Sequence, residues 1–558
     1  MSTDRDDDTP GGPGRGAAGW DADVLIVGDG PVGQTLAILL ARRGWSVTVV
    51  DRWPQPYTMS RAVAFDSEAA RVLAALGLTG YIADETEPSG RYVWQNGDGK
   101  VLLDIEGAAR GWCHWPDSTS MYQPGLEAAL TARGAQLPTL RVLRGHEAVD
   151  AADLGDHVEL TCVGLDGGRR TLSARWLVGC DGANSFVRDR VGTPMRDLDF
   201  AHDFLICDVV LHEERTFDPN NLQICDPARP RTEASAGPGH RRWEFMRLAD
   251  ESVEELNTPD SAWRLLKLFD VTPGNATLLR HAVYTFRSRW AEQWRSGRLL
   301  LAGDAAHVMP PFAGQGMCSG IRDAANLSWK LDLVLAGRAD EAVLDTYVSE
   351  RAAHVRHAVR MSVDLGRVIC QLDPAAAADR DMAMLAARER GVGRGAPQAP
   401  VHPLRDGLLH RADTRGRLTG RLTPQGRVRR DGTTALFDDL IGTGFVLLTT
   451  EDPRPRLSQE ALRVLDRLDI RTVRVLPATE PTPTPTPTPT DDRVPDAAAD
   501  ATVVDVDATY IPYLTEAGAT SVLVRPDFYV FGQADTPEAC AALLTDLGRQ
   551  LEVPALTH

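Results

Sequence analysis

The sequence predicts an α/β fold: a βαβ domain on a parallel sheet, interrupted by an antiparallel-sheet domain and closed by a small C-terminal α/β domain. Three observations carry this. Asp23-Val-Leu-Ile-Val27 is a short apolar run ending at Gly28-Asp-Gly30-Pro-Val-Gly33, after which helical spacing takes over. Between about 200 and 290 the pattern changes to the alternation of half-buried strands. Beyond a Pro-Thr run at 481–490, the segments 501–506, 521–524 and 529–531 again read as short strands.

The first of these elements is the best defined. Residues 23–27 suit a buried parallel strand, 33–43 a helix and 46–50 a second strand, which together make a βαβ unit. Each glycine has its own task at the strand-to-helix turn. Gly28 permits the turn, Gly30 lets the backbone approach a pyrophosphate, and Gly33 lets the helix pack on the strand. Pro31 and Val32 begin the helix, whose N–H groups and positive dipole end favour an anion. Asp51, followed by Arg52, closes the second strand 18 residues after Gly33, where an acid can accept from ribose hydroxyls.

Further along, Arg298-Leu-Leu-Leu301 reads as another buried strand leading to Gly303-Asp304-Ala-Ala-His307. There Asp304 can accept from polyol hydroxyls, although an N-cap aspartate before an ordinary loop would look the same. Pro310-Pro311-Phe-Ala-Gly314-Gln-Gly316-Met317 then enters a helix expected over 319–337, with Gly337 as its stop. The expected organisation is a disordered tail at 1–20 and a nucleotide-binding domain in two parts, 21–200 and 291–394. The second part includes connecting helices. A substrate domain is inserted at 201–290, and a C-terminal domain at 395–558 contains the extended Pro-Thr linker.

Composition narrows the partners. The 558 residues include 60 basic and 78 acidic side chains, a net charge of −18, which argues against nucleic acid or an anionic membrane as the main partner. Residues 24–41 are apolar, but Asp29, Pro31 and glycines interrupt them, so no membrane span is expected. The N-terminus has no basic-then-apolar signal pattern. Cysteines at 113, 162, 180, 207, 225, 318, 370 and 540 form no CxxC pair, so neither a zinc cage nor a thiol relay is expected. Scattered thiols suit the cytoplasm.

With Cys180-Asp181-Gly182-Ala-Asn-Ser185-Phe-Val-Arg188, the chain resembles the class A flavoprotein monooxygenases of the para-hydroxybenzoate hydroxylase type. GxGxxG, the DG motif and Gly303-Asp304 are that family's three signatures in its order. Arg61-Ala62 matches its early FAD-contacting arginine, and Gln123-Pro-Gly-Leu-Glu127 its QPxLE segment. The resemblance covers roughly 21–365. It implies bound FAD, a transiently docking NADH or NADPH, O2 as co-substrate and hydroxylation of an aromatic ring. Consistent with transient docking, no second dinucleotide fingerprint is found; Gly391-Val-Gly393-Arg-Gly395 has the wrong spacing.

A narrower similarity, to the 3-(3-hydroxyphenyl)propionate hydroxylase branch, rests on Arg61-Ala-Val-Ala-Phe-Asp66, Arg242-Trp-Glu-Phe245, Pro311–Met317 and Arg525-Pro-Asp527. That branch carries a C-terminal thioredoxin-like domain. Here such a domain would lack CxxC, leaving packing or oligomerisation, with a homodimer allowed.

By this resemblance Asp181, Gly182 and Gly314 join the cofactor set, Pro311 borders the reactive edge of the flavin, and Gly316 and Met317 offer it N–H groups. His202 and Tyr284 are the candidate acid–base side chains of the substrate sheet, and Arg242 the candidate partner for a substrate carboxylate. All three residues have ordinary structural roles as alternatives.

Competing readings are a polyketide-tailoring hydroxylase, a Baeyer–Villiger monooxygenase and a non-catalytic flavoprotein whose C-terminal domain binds partners. Halogenation is disfavoured, because Trp112-Cys-His-Trp115-Pro lacks the WxWxIP spacing.

Overall fold

The computed structural model describes residues 19–56, 61–391, 402–410, 416–478 and 500–552. Most of the tail expected at 1–20, and the whole Pro-Thr run at 481–490, lie outside these residues.

A parallel sheet organises the first domain. Its order is Leu299–Leu301, Arg169–Gly179, Ala22–Val27, Val47–Asp51, Leu140–Arg144, with antiparallel strands added beside Leu299–Leu301 and on the first half of Arg169–Gly179. Every residue of Ala22–Val27 is buried, as its unbroken apolar run requires of a strand covered on both faces. The register matters most. Val27 pairs with Gly179, and Gly179 with Leu301, so these three strands end in one row. The glycine turn, the DG motif and the Gly303-Asp304 turn therefore all emerge at the carboxyl edge of adjacent strands, where open α/β sheets bind ligands.

The helix after the glycine turn spans Pro31–Ala41, two residues earlier than expected. Proline at the first helical position loses no hydrogen bond and has the right φ, so it begins the helix. A second helix, Gly316–Leu335, packs on the first and ends just before Gly337, which has φ +65°. Gly320 makes the approach close, because a Cβ there would meet Val32 Cγ2 at 2.4 Å.

The substrate sheet is wider than the expected 201–290 and is not wholly antiparallel. Its order is His307–Val308, Ala276–Ala291, Met195–Leu211, His240–Met246, Arg231–Ser235, Asn221–Cys225, Arg91–Asn96, Val101–Glu106. Asn221–Cys225 runs parallel to Arg91–Asn96, a pairing between segments more than a hundred residues apart that no local pattern announces. One face packs Leu205, Cys207, Trp243 and Phe245 with residues of the helix Pro259–Leu266. The other turns Phe204, Ile206 and Met246 toward Phe312 and the long helix Val343–Ile369.

The C-terminal domain has a seven-stranded mixed sheet. Val446–Thr449, Arg471–Pro477 and Ala501–Asp505 form its parallel centre; Ser521–Val524 and Val530–Ala534 flank one side and the Arg427–Arg430/Thr433–Leu436 hairpin the other. Helices Gln459–Leu468 and Pro537–Gln550 pack together against it. This domain is bonded to the first: Arg71 pairs with Asp438 at 2.6 Å, and Tyr529 donates to Glu68 at 2.9 Å. No described helix is long and apolar enough to cross a membrane.

Candidate active site

The glycine turn has the geometry its residues imply. Gly28 has φ +106°, and a Cβ there would stand 2.3 Å from the Cys180 carbonyl oxygen. A Cβ on Gly33 would stand 2.0 Å from the Gly28 carbonyl oxygen. Both positions are closed to any side chain. Cβ positions on Gly30, Gly182 and Gly314 would meet nothing within 4 Å, so these glycines border open space.

Asp51 accepts from the Asp29 and Trp53 N–H groups, both at 2.8 Å, and so braces the turn at the strand end. Arg52 is exposed, with its guanidinium over the Trp53 ring. Sequence reasoning passed over Asp29. Burial raises its pKa to about 7 even though Arg144 Nη2 lies 2.5 Å from Oδ2, with Asp51 and Glu127 adding to the rise.

Arg61 joins two motifs. Its Nη1 lies 2.7 Å from Asp304 Oδ2, and its backbone N–H donates to Gln123 Oε1 at 2.7 Å. Gln123 also accepts from Ala62 N–H and donates to Glu127, so its amide holds the Arg61 segment in place. Asp181 has a comparable local task. One of its oxygens accepts from Ser185 Oγ and the other from Val187 N–H, fixing the turn into the helix Phe186–Val191. Burial raises the Asp181 pKa.

Beneath Asp304 lies a sealed network. Asp323 Oδ2 accepts from Gly303 N–H at 3.0 Å and pairs with His307 Nε2 at 2.6 Å, while Arg351 Nε lies 2.8 Å from Oδ1. Burial would raise this carboxyl, but His307 and Arg351 together hold it down, to about 2. His307 has no solvent exposure and supports the loop. Above it, Pro311 is exposed on a short turn, Gly314 has φ +63°, and Gly316 and Met317 open the helix with half-buried backbone.

Phe312, absent from the sequence candidates, sits at the junction with the substrate sheet. Its ring centroid is 5.9 Å from Phe204, 5.8 Å from Phe286 and 6.1 Å from Phe200. His202 stands edge-on to Phe200 at 4.8 Å, and burial lowers its pKa. Tyr284 Oη accepts from Arg280 at 3.2 Å.

Arg242 is occupied differently from the expectation. Its side chain is buried and grips Asp208 with Nε at 2.7 Å and Nη2 at 3.0 Å, and Nη1 donates to the Arg61 carbonyl oxygen at 2.7 Å. Arg280 pairs with the same Asp208. Register explains this, since Asp208 lies opposite Arg242 on one neighbour and Arg280 on the other. Arg242 thus ties the substrate sheet to the Arg61 segment. A separate cavity of about 550 Å³, lined by His212, Trp263 and His281, touches none of the motifs.

These residues suit FAD. Close-approach glycines at a helix start, carboxylates at two strand ends, an arginine between the motifs and a second helix start beyond Pro311 supply the donors and acceptors a dinucleotide with a polyol arm requires. Among the described residues, no group of three His, Cys, Asp or Glu could hold a metal ion.

Fold and site together define a flavin-dependent aromatic monooxygenase. Residues 21–362 match the FAD binding domain family and 420–550 the HcaD C-terminal domain; the chain belongs to the FAD binding domain family. It is 40% identical over 542 residues, 96% of either chain, to a probable NADH-specific resorcinol 4-hydroxylase of Rhodococcus jostii (strain RHA1). It is 35% identical to a 3-(3-hydroxy-phenyl)propionate/3-hydroxycinnamic acid hydroxylase of Mycobacterium sp. (strain JLS), over 94% of this chain and 91% of the relative. The flavin-dependent monooxygenase PieE, solved with FAD and substrate, has the same fold: TM-score 0.76 at 21% identity, covering 95% of this chain and 99% of that one.

Proposed function

We propose that this enzyme hydroxylates a small uncharged phenol of the dihydroxybenzene type, using NADH and O2. The carrying observation is the pairing of the arginines. Arg242 and Arg280 grip Asp208, and Arg61 faces Asp304, so these three arginines beside the motifs and the substrate sheet already have carboxylate partners. A carboxylated substrate that turned to Arg242 or Arg280 would have to displace a buried pair, which costs several kcal/mol. The relative named for resorcinol agrees in chemistry and in its nicotinamide. The second reading is a carboxylated phenol, favoured by the name of the Mycobacterium relative. A polyketide or Baeyer–Villiger substrate has no such support.

FAD, once bound, would carry electrons from NADH to O2 and deliver one oxygen atom to the ring. The remaining tasks fall to the protein. Pro31 and Val32 would begin the helix that faces the pyrophosphate, and Asp51 would receive the ribose. Arg61 and Asp304 would hold the polyol arm, with Asp323 fixing the Gly303 turn from below. Gly316 and Met317 would direct N–H groups at the ring system of the cofactor. Asp181, Gln123 and Arg242 act as positioning residues through the turns they hold. Pro311 and Phe312 would border the substrate and exclude water.

The C-terminal domain is read as thioredoxin-like, supported by its strand–helix–strand and helix–hairpin–helix order. Its one cysteine, Cys540, is buried, so its role is packing rather than redox. Eight unpaired cysteines support a cytoplasmic location, and a homodimer is tested by light scattering. The function is tested by loading the protein with FAD, measuring phenol-stimulated NADH consumption and identifying the product. A protein that cannot take up FAD overturns it.

A further inference from the structure

Glu244, a carboxyl of the substrate sheet, has no hydrogen-bond or ion-pair partner among the described residues. Trp243 and Phe245 pack toward the Pro259–Leu266 helix, so the alternation turns Arg242, Glu244 and Met246 to the opposite face with Phe204 and Ile206. Glu244 lies directly across from Ile206. Phe204, two residues along that strand and about 7 Å away by strand geometry, is in ring contact with Phe312. Glu244 therefore stands on the face that meets the Pro311 turn.

Its neighbours are satisfied without it. Arg242 and Arg280 share Asp208. On the other flank Thr232, which pairs with Glu244 in register, donates to Gln223 at 2.7 Å, and Gln223 donates to the Arg231 carbonyl oxygen. Glu244 is 9% exposed and makes no hydrogen bond or ion pair with any described residue, yet its carboxyl oxygens are not sealed from solvent. An enclosed carboxyl without a partner is costly unless a ligand supplies one. Tyr92, from the Arg91–Asn96 strand, also faces it, and Tyr284 lies on the same face beside Arg242 and Arg280.

We propose that Glu244 is the catalytic residue that binds the ring hydroxyl of the phenol and accepts its proton. The phenol O–H bond breaks, its proton passes to Glu244 Oε and its electron pair stays with the ring. The ring carbon then bonds to one atom of O2, whose O–O bond breaks with NADH as the two-electron reductant and whose second atom leaves as water. When the oxygenated carbon regains aromaticity it gives up its hydrogen to water as a proton, and Glu244 returns its own proton to the ring oxygen. Burial raises the pKa of Glu244, opposed by Arg242 and Arg280 and assisted by Asp208, which moves it toward the range useful to a base. The inference rests on the aromatic-hydroxylase reading, and an unpaired carboxyl also disfavours an anionic substrate.

The test compares wild type with Glu244→Gln and Glu244→Asp, each loaded with FAD, on resorcinol and on 3-(3-hydroxyphenyl)propionate. Glu244→Gln should keep FAD binding and NADH-driven bleaching of the flavin band within twofold. Its hydroxylation rate should fall about 100-fold, and the rise of kcat with pH through an acidic group should disappear. Glu244→Asp should recover part of the rate and keep the pH limb. A Gln variant within threefold of wild type with the same limb, or equal losses in Gln and Asp, would overturn the assignment. If wild type turns over only the carboxylated phenol, the uncharged-substrate reading fails, and the Gln comparison on that phenol still decides the role of Glu244.

Discussion

Arg525 of the C-terminal domain reaches Glu350 of the long helix, Nη2 to Oε2 at 2.6 Å, with neither side chain exposed to solvent. Lys330 and Asn326, both on the Gly316–Leu335 helix, bond to the same Glu350 oxygen at 2.8 and 2.7 Å. Asn326 also donates to Asp527. The domain without redox cysteines is thus bonded to the helix that opens beside the Pro311 turn. Replacing Arg525 with Met should cost about 3–5 kcal/mol, because it leaves a buried carboxylate without its main partner. Urea denaturation measures this; an unchanged midpoint would refute the coupling.

Acid should act on the same network and on the one beneath Asp304. Burial alone would raise the Glu350 pKa, yet Arg525 and Lys330 hold it at about 2, and Asp323 is held at about 2 by His307 and Arg351. Unfolded carboxyls titrate near 4. Between these values the unfolded chain binds more protons, so the stabilisation is complete above about pH 4 and is lost as pH falls through 2. Each shift corresponds to roughly 3 kcal/mol. Urea midpoints should fall steeply from about pH 4 to pH 2 in wild type and less steeply in Asp323→Asn.

Gly366 makes room for the aromatic cluster. A Cβ there would lie 2.5 Å from Phe200 Cζ and 2.8 Å from Phe312 Cε2. Alanine favours a helix by about 1 kcal/mol over glycine, but overpacking costs about 1–3 kcal/mol. The Gly366→Ala protein should still bind FAD while Phe312 shifts, so that NADH is consumed with less product formed. An unchanged ratio of product to NADH would count against a substrate site at Phe312.

The parts that could be read directly from the chain were those encoded by neighbours in sequence. Gly28, Asp181 and Asp304 each follow an apolar strand, and strand register alone brings them to one edge. The occupation of Arg242 could not be read in this way. Alternation puts Arg242 and Glu244 on one face, but only the pairing of strands 34 residues apart shows that Asp208 claims the arginine and leaves the glutamate. The width of the substrate sheet was hidden for the same reason, because Arg91–Asn96 joins Asn221–Cys225 across a long interval. Phe312 lay inside a recognised segment, but its ring contacts come from strands that are remote in sequence.

Asp304→Ala should weaken FAD binding by about tenfold or more while leaving the C-terminal domain folded, since it removes the carboxylate at the strand end that pairs with Arg61. Flavin fluorescence titration gives the affinity, and far-UV circular dichroism reports the fold. Unchanged affinity would remove Asp304 from the cofactor site.

The most direct test of the account is a substrate comparison on the FAD-loaded wild-type protein. NADH consumption and product formation are measured with resorcinol and with 3-(3-hydroxyphenyl)propionate under the same conditions. With the site arginines already paired, kcat/KM should be at least tenfold higher for resorcinol, with a trihydroxybenzene as product. A preference for the carboxylated phenol would contradict the account.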